Sequence, residues 1–250
     1  MINQLGLFWG KTDKEGNWNP LMLHLIDVAS TAEAILYREP FSTRQRMAEI
    51  LDLEWDQAKP WLLFIIACHD LGKACPGFQC KEFGPIHVRE MGLKIPGGVN
   101  LKVHHGFVSQ IALKDFLIEN DWSFELADKV ADAVGCHHGE RATPSHLKHL
   151  EGDRKSLGNK DWDEARKEIC RVLLELFQVK QSPKKTQLSG PDFMLLSGLT
   201  SFADWIGENA PSEELPLEVR EAVLTIKDCL DSDRKLPDIC MEVVNDLLLK

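Results

Sequence analysis

The residues best suited to chemistry are imidazoles and carboxylates set into otherwise apolar helical sequence. His69 and Asp70 close the run Leu62-Leu63-Phe64-Ile65-Ile66-Ala67-Cys68, which Gly72 then stops. His24 falls on the same helical side as Leu21 and Val28, His137 and His138 stand directly before Gly139, and Asp204 lies inside Ser201-Phe202-Ala203-Asp204-Trp205-Ile206-Gly207. Each has a plain explanation when taken alone. A lone histidine on an apolar face is more often a hydrogen-bonded core residue than a ligand, and paired histidines at a helix end can simply complement its dipole. Six such residues together ask for a shared partner, because an unpaired buried charge costs several kcal/mol, roughly, after relaxation. A divalent metal ion would supply that partner.

Imidazole and carboxylate without thiolate suit iron, manganese, cobalt, nickel or zinc, and ligand type alone does not choose among them. With one histidine from the pair His104-His105, five histidines and two aspartates exceed the needs of a single ion. Two ions about 3.5–4 Å apart, bridged by a carboxylate and a water or hydroxide, would use them all and form a clamp suited to phosphodiester hydrolysis. Cys68 and Cys136 lie roughly 100° round the helix from His69 and His137 and read as packing residues. The chain lacks G-x-x-x-x-G-K-[ST], lacks G-x-G-x-x-G after a strand and lacks G-x-S-x-G, which leaves no sign of a nucleotide cradle or a hydrolase elbow.

The elements that must position these groups read as helices. After an irregular lead-in over residues 1–19, Asn19 is expected to cap a first helix opening at Pro20, with Leu21, Leu25, Val28, Ala32, Ile35 and Leu36 on its apolar side. Further helices are expected at 43–52, 55–71, 102–119, 123–138, 161–178 and 191–207, with closing amphipathic helices near 215–230 and 236–249. Gly84, Pro85, Gly92, Pro96, Gly97 and Gly98 mark 83–100 as loop, and 140–160 reads as a polar, exposed excursion. No strand pattern is convincing. The expected fold is all-α, one domain over 1–250, with a helical core of about 20–208 and the metal site at its centre.

At 250 residues the chain is long enough for a large core without disulfides. Seven cysteines, odd in number and without a C-x-x-C pair, fit reduced cytoplasmic usage, and neither a secretory leader nor a membrane-spanning run is visible. The net charge of −10 argues against broad, nonspecific adhesion to nucleic acid. It does not exclude a nucleic-acid enzyme, since two bound dications would add positive charge locally.

A histidine, then His-Asp, then a further histidine, a His-His pair and a final aspartate is the HD phosphohydrolase order. The finer detail resembles the HD nuclease domain of the CRISPR-associated nuclease-helicase of type I systems. The matching segments are Trp9-Gly10-Lys11, His24 with Asp27-Val28-Ala29, His69-Asp70-Leu71-Gly72-Lys73 with Phe78-Gln79, His105-Gly106, His137-His138-Gly139 and Ser201 to Gly207. This resemblance implies an HD-domain helical bundle in which His24, His69, Asp70 and Asp204 hold one ion and Asp70, His105, His137 and His138 hold the other, with Asp70 bridging. His105 is preferred over His104 because it directly precedes Gly106, as the ligand does in similar sequences; many members carry glutamate after that histidine, and Gly106 departs from that pattern. Lys73 is implied as a contact to phosphate or a carboxylate, and Ser201 as a residue supporting the ligands.

The resemblance further implies a metal-dependent hydrolase that cuts single-stranded DNA in CRISPR interference, using two divalent transition-metal ions, with manganese, cobalt, nickel or iron expected first and zinc also suitable. Its expected partners are a helicase domain, in the same chain or a separate one, and the CRISPR RNA-guided surveillance complex, with no membrane involved. A nuclease domain cut from a longer protein is favoured over a stand-alone form. The first rival is an HD phosphohydrolase for nucleotides or cyclic dinucleotides, which shares the metal core but needs an enclosed base pocket. The second is a catalytically silent docking domain, disfavoured because no ligand position is lost.

Overall fold

The structure is a computed structural model and describes residues 7–12, 18–81 and 84–207. Its centre is α3 (Trp55–Ala67), whose last six residues are buried on every side because the sequence there is apolar all round. Around it pack α1 (Leu21–Arg38), α2 (Phe41–Ala48), α7 (Phe124–Gly135) and α10 (Lys160–Leu176). Helix α11 (Gly190–Gly207) lies against α1 and α7, and α6 (His105–Glu119) lies against α7 and α10. Leu25 and Val28, Leu62 and Ile65, Leu113 and Leu117, Val130 and Val134, and Leu173 bring these helices into one main apolar core.

A second, smaller apolar cluster flanks the first. It joins Phe107, Val108 and Ile111 of α6 to Val103, to Cys75 and Phe78 around the short α4 (Pro76–Gln79), to Leu150 of α8 (Pro144–Gly152) and to Leu157 of α9 (Arg154–Leu157). The expected all-α architecture therefore holds, with helix boundaries within a few residues of those expected between 41 and 207. Two stretches expected to lack structure do not. Residues 140–160 carry α8 and α9, because Thr143 and Asp153 cap them and Leu150 and Leu157 give an otherwise polar stretch two apolar anchors. Gly84–Glu90 forms α5 within the segment expected as loop, with Val88 and Met91 reaching the main core.

The lead-in also differs from expectation. β1 (Trp9–Thr12) and β2 (Trp18–Pro20) form a two-stranded antiparallel ribbon, with Asn19 paired to Lys11 and Pro20 to Trp9. Asn19 is thus a strand residue and does not cap α1. The first free amide of that helix, on Leu21, instead donates to the Phe8 carbonyl at 2.7 Å. The expected helices near 215–230 and 236–249 lie outside the described residues. Among the described residues, no helix is long and apolar enough to cross a membrane.

Candidate metal centre

The buried run does not stay α-helical to its end. It tightens into a 3-10 turn, Cys68–Lys73, in which every residue is buried. That turn packs into α6 so closely that a Cβ on Gly72 would stand 2.0 Å from the His105 carbonyl oxygen and 2.5 Å from the Ser109 nitrogen. Ser109 fixes the contact, accepting from the Gly72 amide at 2.8 Å and donating to the His105 carbonyl at 3.1 Å. The His-Asp pair and the start of α6 are therefore held at one height.

Asp70 stands at the meeting point and divides its two oxygens. Oδ2 faces His24 Nε2 at 2.8 Å, His69 Nε2 at 3.4 Å and Lys73 Nζ at 2.6 Å. Oδ1 faces His105 Nε2 at 3.1 Å and His137 Nε2 at 3.4 Å. Asp204 completes the first side, with Oδ1 3.3 Å from His69 Nε2 and 3.8 Å from His24 Nε2. His138 completes the second, its Nε2 3.0 Å from that of His105. Two groups result that could hold a metal ion, sharing Asp70: His24, His69, Asp70 and Asp204, all buried, and Asp70, His105, His137 and His138, the last exposed.

Hydrogen bonding sets the histidines for coordination. Nδ1 of His69 donates to the Ile66 carbonyl at 2.9 Å, and Nδ1 of His137 donates to the Val134 carbonyl at 2.8 Å. A carbonyl only accepts, so each Nδ1 carries a proton and Nε2 is the atom left to coordinate. Nε2 of both rings, Oδ1 of Asp70 and Oδ1 of Asp204 are buried and make no hydrogen bond among the described residues. Four orphaned polar atoms converging in an apolar interior are the donor set a divalent cation satisfies.

The electrostatics differ across the centre. Burial opposes the Asp70 charge, yet Lys73, His69 and His105 outweigh it and hold the carboxyl well below the usual range. Burial also works against protonating His69, but the charges of Asp70 and Asp204 raise its pKa to about 10. For Asp204, burial is likewise overcome by His69, and the carboxyl lies below its ordinary value. On the open side, partial burial and the neighbouring His137 and His105 press His138 down to about 4. Burial lowers His24 as well, despite its bond to Asp70.

A cleft of about 470 Å³ opens onto this centre, lined by His137, His138, Gly198, Ser201, Phe202, Asp204 and Trp205. Ser201 lines it but spends its hydroxyl proton on the Ser197 carbonyl at 2.9 Å. Lys73 touches Asp70 and stands over the Phe78 ring at 5.5 Å. His104 belongs to neither metal group; its ring stacks on Phe107 at 4.1 Å. Gly106 is steric: a Cβ there would meet the Gly135 carbonyl at 2.4 Å, so no side chain has room between α6 and α7 at this position.

Sequence reasoning gave Gln79 no role beyond a motif match. Its wholly buried amide donates to the Trp9 carbonyl at 2.8 Å and the Lys73 carbonyl at 2.9 Å, and its oxygen accepts from the Trp9 amide at 3.2 Å. It thus pins the ribbon to the metal turn. Buried Arg166 braces the same region, donating to the Ala74 and Leu157 carbonyls at 2.7 and 3.0 Å. An arginine among aliphatic residues at 3.6-residue spacing carries no signal of that reach.

A helical bundle that gathers His, His-Asp, His, His-His and Asp around one bridging carboxylate defines the HD class of metal-binding domain. The sequence model of the family described as "Cas3, HD domain" matches residues 9–211, and the chain belongs to that family. It is 35% identical over 203 residues to the CRISPR-associated endonuclease/helicase Cas3 of Thermus thermophilus, covering 78% of this chain and 22% of that protein. It is 26% identical over 262 residues to the corresponding Escherichia coli protein, covering 82% and 27%. The chain thus spans about a quarter of the length of the curated relatives it matches. Among solved structures, one titled as a CRISPR-associated protein superposes with a TM-score of 0.76 at 28% identity, covering 92% of this chain and 27% of that one. The Thermus thermophilus Cas3 HD domain in the presence of Ni²⁺ superposes at 0.66 with 23% identity, covering 95% and 93%, which shows the shared fold.

Proposed function

We propose that this chain is a metal-dependent nuclease that hydrolyses phosphodiester bonds of single-stranded DNA in CRISPR interference. The observation that carries the reading is Asp70, whose two oxygens face two different His/Asp sets. In this reading His24, His69, Asp70 and Asp204 hold one divalent transition-metal ion and Asp70, His105, His137 and His138 the other. Two such ions would activate a water nucleophile and stabilise charge developing on the phosphate oxygens. The chain's own contributions are then definite. Asp70 fixes the distance between the sets, the carbonyls of Ile66 and Val134 keep the two Nε2 atoms aimed inward, and Lys73 offers a cation beside Asp70 for charge balance or phosphate contact.

The cleft supports a strand more than an enclosed nucleotide. It is bounded by exposed His138 and Phe202, and nothing among the described residues closes over it as a base pocket must. The names of the relatives support coupling to a helicase, and a solved neighbour titled "CRISPR RNA-guided surveillance complex, pre-nicking" supports work beside such a complex. Imidazole-rich sets favour Mn²⁺, Co²⁺, Ni²⁺ or Fe²⁺ over Mg²⁺, which prefers oxygen and water.

The test is incubation of the purified chain with single-stranded DNA, blunt duplex DNA and a panel of nucleotides and cyclic dinucleotides, with each metal and after chelation. Cutting of the single strand that depends on a transition metal, with the duplex resistant, is the expected result. Turnover confined to a nucleotide would hand the site to the rival phosphohydrolase reading. Full activity in Mg²⁺ after thorough chelation would remove the argument from ligand softness.

A further inference from the structure

Beside the metal sets, a series of near-parallel rings runs from the site toward solvent. The His105 ring lies 5.8 Å from His104 with 20° between planes. His104 lies 4.1 Å from Phe107 at 18°, and Phe107 lies 5.6 Å from His146 at 18°. Phe107 is 8% exposed and seated in the second apolar cluster with Val103, Val108 and Leu150. His146, on α8, is exposed.

Packing accounts for Phe107 but not for the outer ring. An exposed histidine adds little buried area and would ordinarily keep its rotamer freedom. Here it is locked twice. Its amide donates to Thr143 Oγ1 at 3.2 Å, and its Nδ1 accepts from the Thr143 amide at 3.5 Å, a reciprocal cap at the start of α8. Its inner face meets Phe107. A flat polar-edged ring is thereby held in one plane at the surface, in register with rings that lead back to a proposed ligand.

We propose that His104, Phe107 and His146 form a base-stacking platform for single-stranded nucleic acid, with His146 as the ring that receives an unstacked base at the outer end of the stack leading back to the metal centre. The assignment rests on the nuclease reading for its substrate. Every base presents a π-face, so such a platform binds without choosing sequence. Lys102, Lys148 and Lys155 are exposed in the segments around the stack and form no ion pair among the described residues, which leaves their ammonium groups for the backbone phosphates of the same strand. It also gives His104 a role its neighbour's ligand position does not share.

The decisive variant is His146→Gln, which keeps a side-chain acceptor for the Thr143 amide but removes the ring. It is compared with His146→Trp, which restores a ring, on an oligo-dT and on the same strand with abasic sites, using the metal-loaded chain. KM for oligo-dT rises about tenfold in His146→Gln, near the low end of one base on one ring, while kcat holds. His146→Trp recovers the lost affinity, and on the abasic strand wild type and His146→Gln agree. An unchanged KM, an equal rise on both strands, or failure of the tryptophan to restore binding overturns the platform. Fluorescence anisotropy of the labelled strands separates the two readings. Base-dependent binding that His146→Gln loses, in a chain that cuts nothing, keeps the platform and ends the nuclease reading. Binding indifferent to bases in a chain that cuts ends the platform alone.

Discussion

The two halves of the metal centre share one carboxylate and little else. His24, His69 and Asp204 are buried among α1, the Cys68–Lys73 turn and α11, with Asp204 alone of the three reaching the cleft, and Lys73 already places a cation 2.6 Å from the shared Asp70. His137 and His138 line the cleft, and Nε2 of His138 stands 3.0 Å from that of the partly exposed His105. The difference teaches a division of labour. Lys73 compensates the buried half in the metal-free protein; on the nuclease reading that half anchors, and the more exposed half stands beside the space a phosphate would fill.

The most damaging way to break that comparison is to remove what the halves share. Asp70→Ala strips one ligand from each set and leaves Lys73 buried without its carboxylate. Both metal sites should empty, and cleavage should fall by more than the roughly 10²–10³ typical of losing one stabilising donor. Metal analysis with a cleavage assay checks it, and two retained ions with near-normal cutting would falsify the bridging role. Lys73→Met comes next. Breaking a buried pair costs about 3–5 kcal/mol, so the metal-free protein should melt markedly lower, while added Mn²⁺ should restore more stability than it gives wild type, because metal no longer competes with the ammonium. Equal metal-induced shifts in the two proteins would mean that Lys73 is not a resident counter-ion.

The anchor half was the more legible in sequence, and the reason is physical. A histidine and an aspartate ending a run of seven apolar residues advertise their burial through composition alone. The open half needed more. Between His104 and His105 no periodicity decides, since both fall at the start of the same expected helix; in space His105 Nε2 stands 3.1 Å from Asp70 while His104 stacks on Phe107, and Gly106 lets α6 close on the Gly135 carbonyl. Gly106→Ala should accordingly disturb the open half first, costing about 1–3 kcal/mol of stability and weakening the ion held by His105 while the buried set still fills. What the sequence hid altogether depends on contacts between distant segments. The ribbon of 9–12 and 18–20 has two tryptophans and a proline but no alternation, and it is held where Gln79 supplies partners for Trp9 from seventy residues away. Helices α8 and α9 were missed because a short helix with one or two apolar anchors looks polar until its caps and its neighbours are known.

A ligand deleted from one half alone should divide the two ions. His138→Ala removes an exposed side chain that belongs to the open set alone. One ion should weaken by at least the roughly 10- to 100-fold that the loss of a mere hydrogen-bond partner of a ligand costs, while the other stays measurable by calorimetric titration. Loss of both ions together would show that the sets are one cooperative site and that the division drawn above is wrong.

The smallest effect is a proton count, and it separates the halves without mutation. In the metal-free protein His69 has its pKa raised to about 10, above the roughly 6.5 of a free imidazole. Its charge therefore stabilises the fold fully below about pH 6.5, and that contribution is lost as pH rises through about 10. The proton responsible sits on Nε2, since Nδ1 already donates to Ile66, and Nε2 is the atom a metal would need. Binding to the buried set below pH 10 must displace that proton, so its apparent affinity should fall close to tenfold for each unit of pH lowered. His138, with its pKa pressed to about 4, is neutral across the same range and releases none. Calorimetry at pH 7 in two buffers of different ionisation enthalpy should find close to one proton released from His69 as the buried set fills, and His138→Ala should leave that number unchanged. A count near zero on filling the buried set would mean that His69 is neutral before metal arrives, and that Lys73 alone, without the imidazolium, balances Asp70 and Asp204.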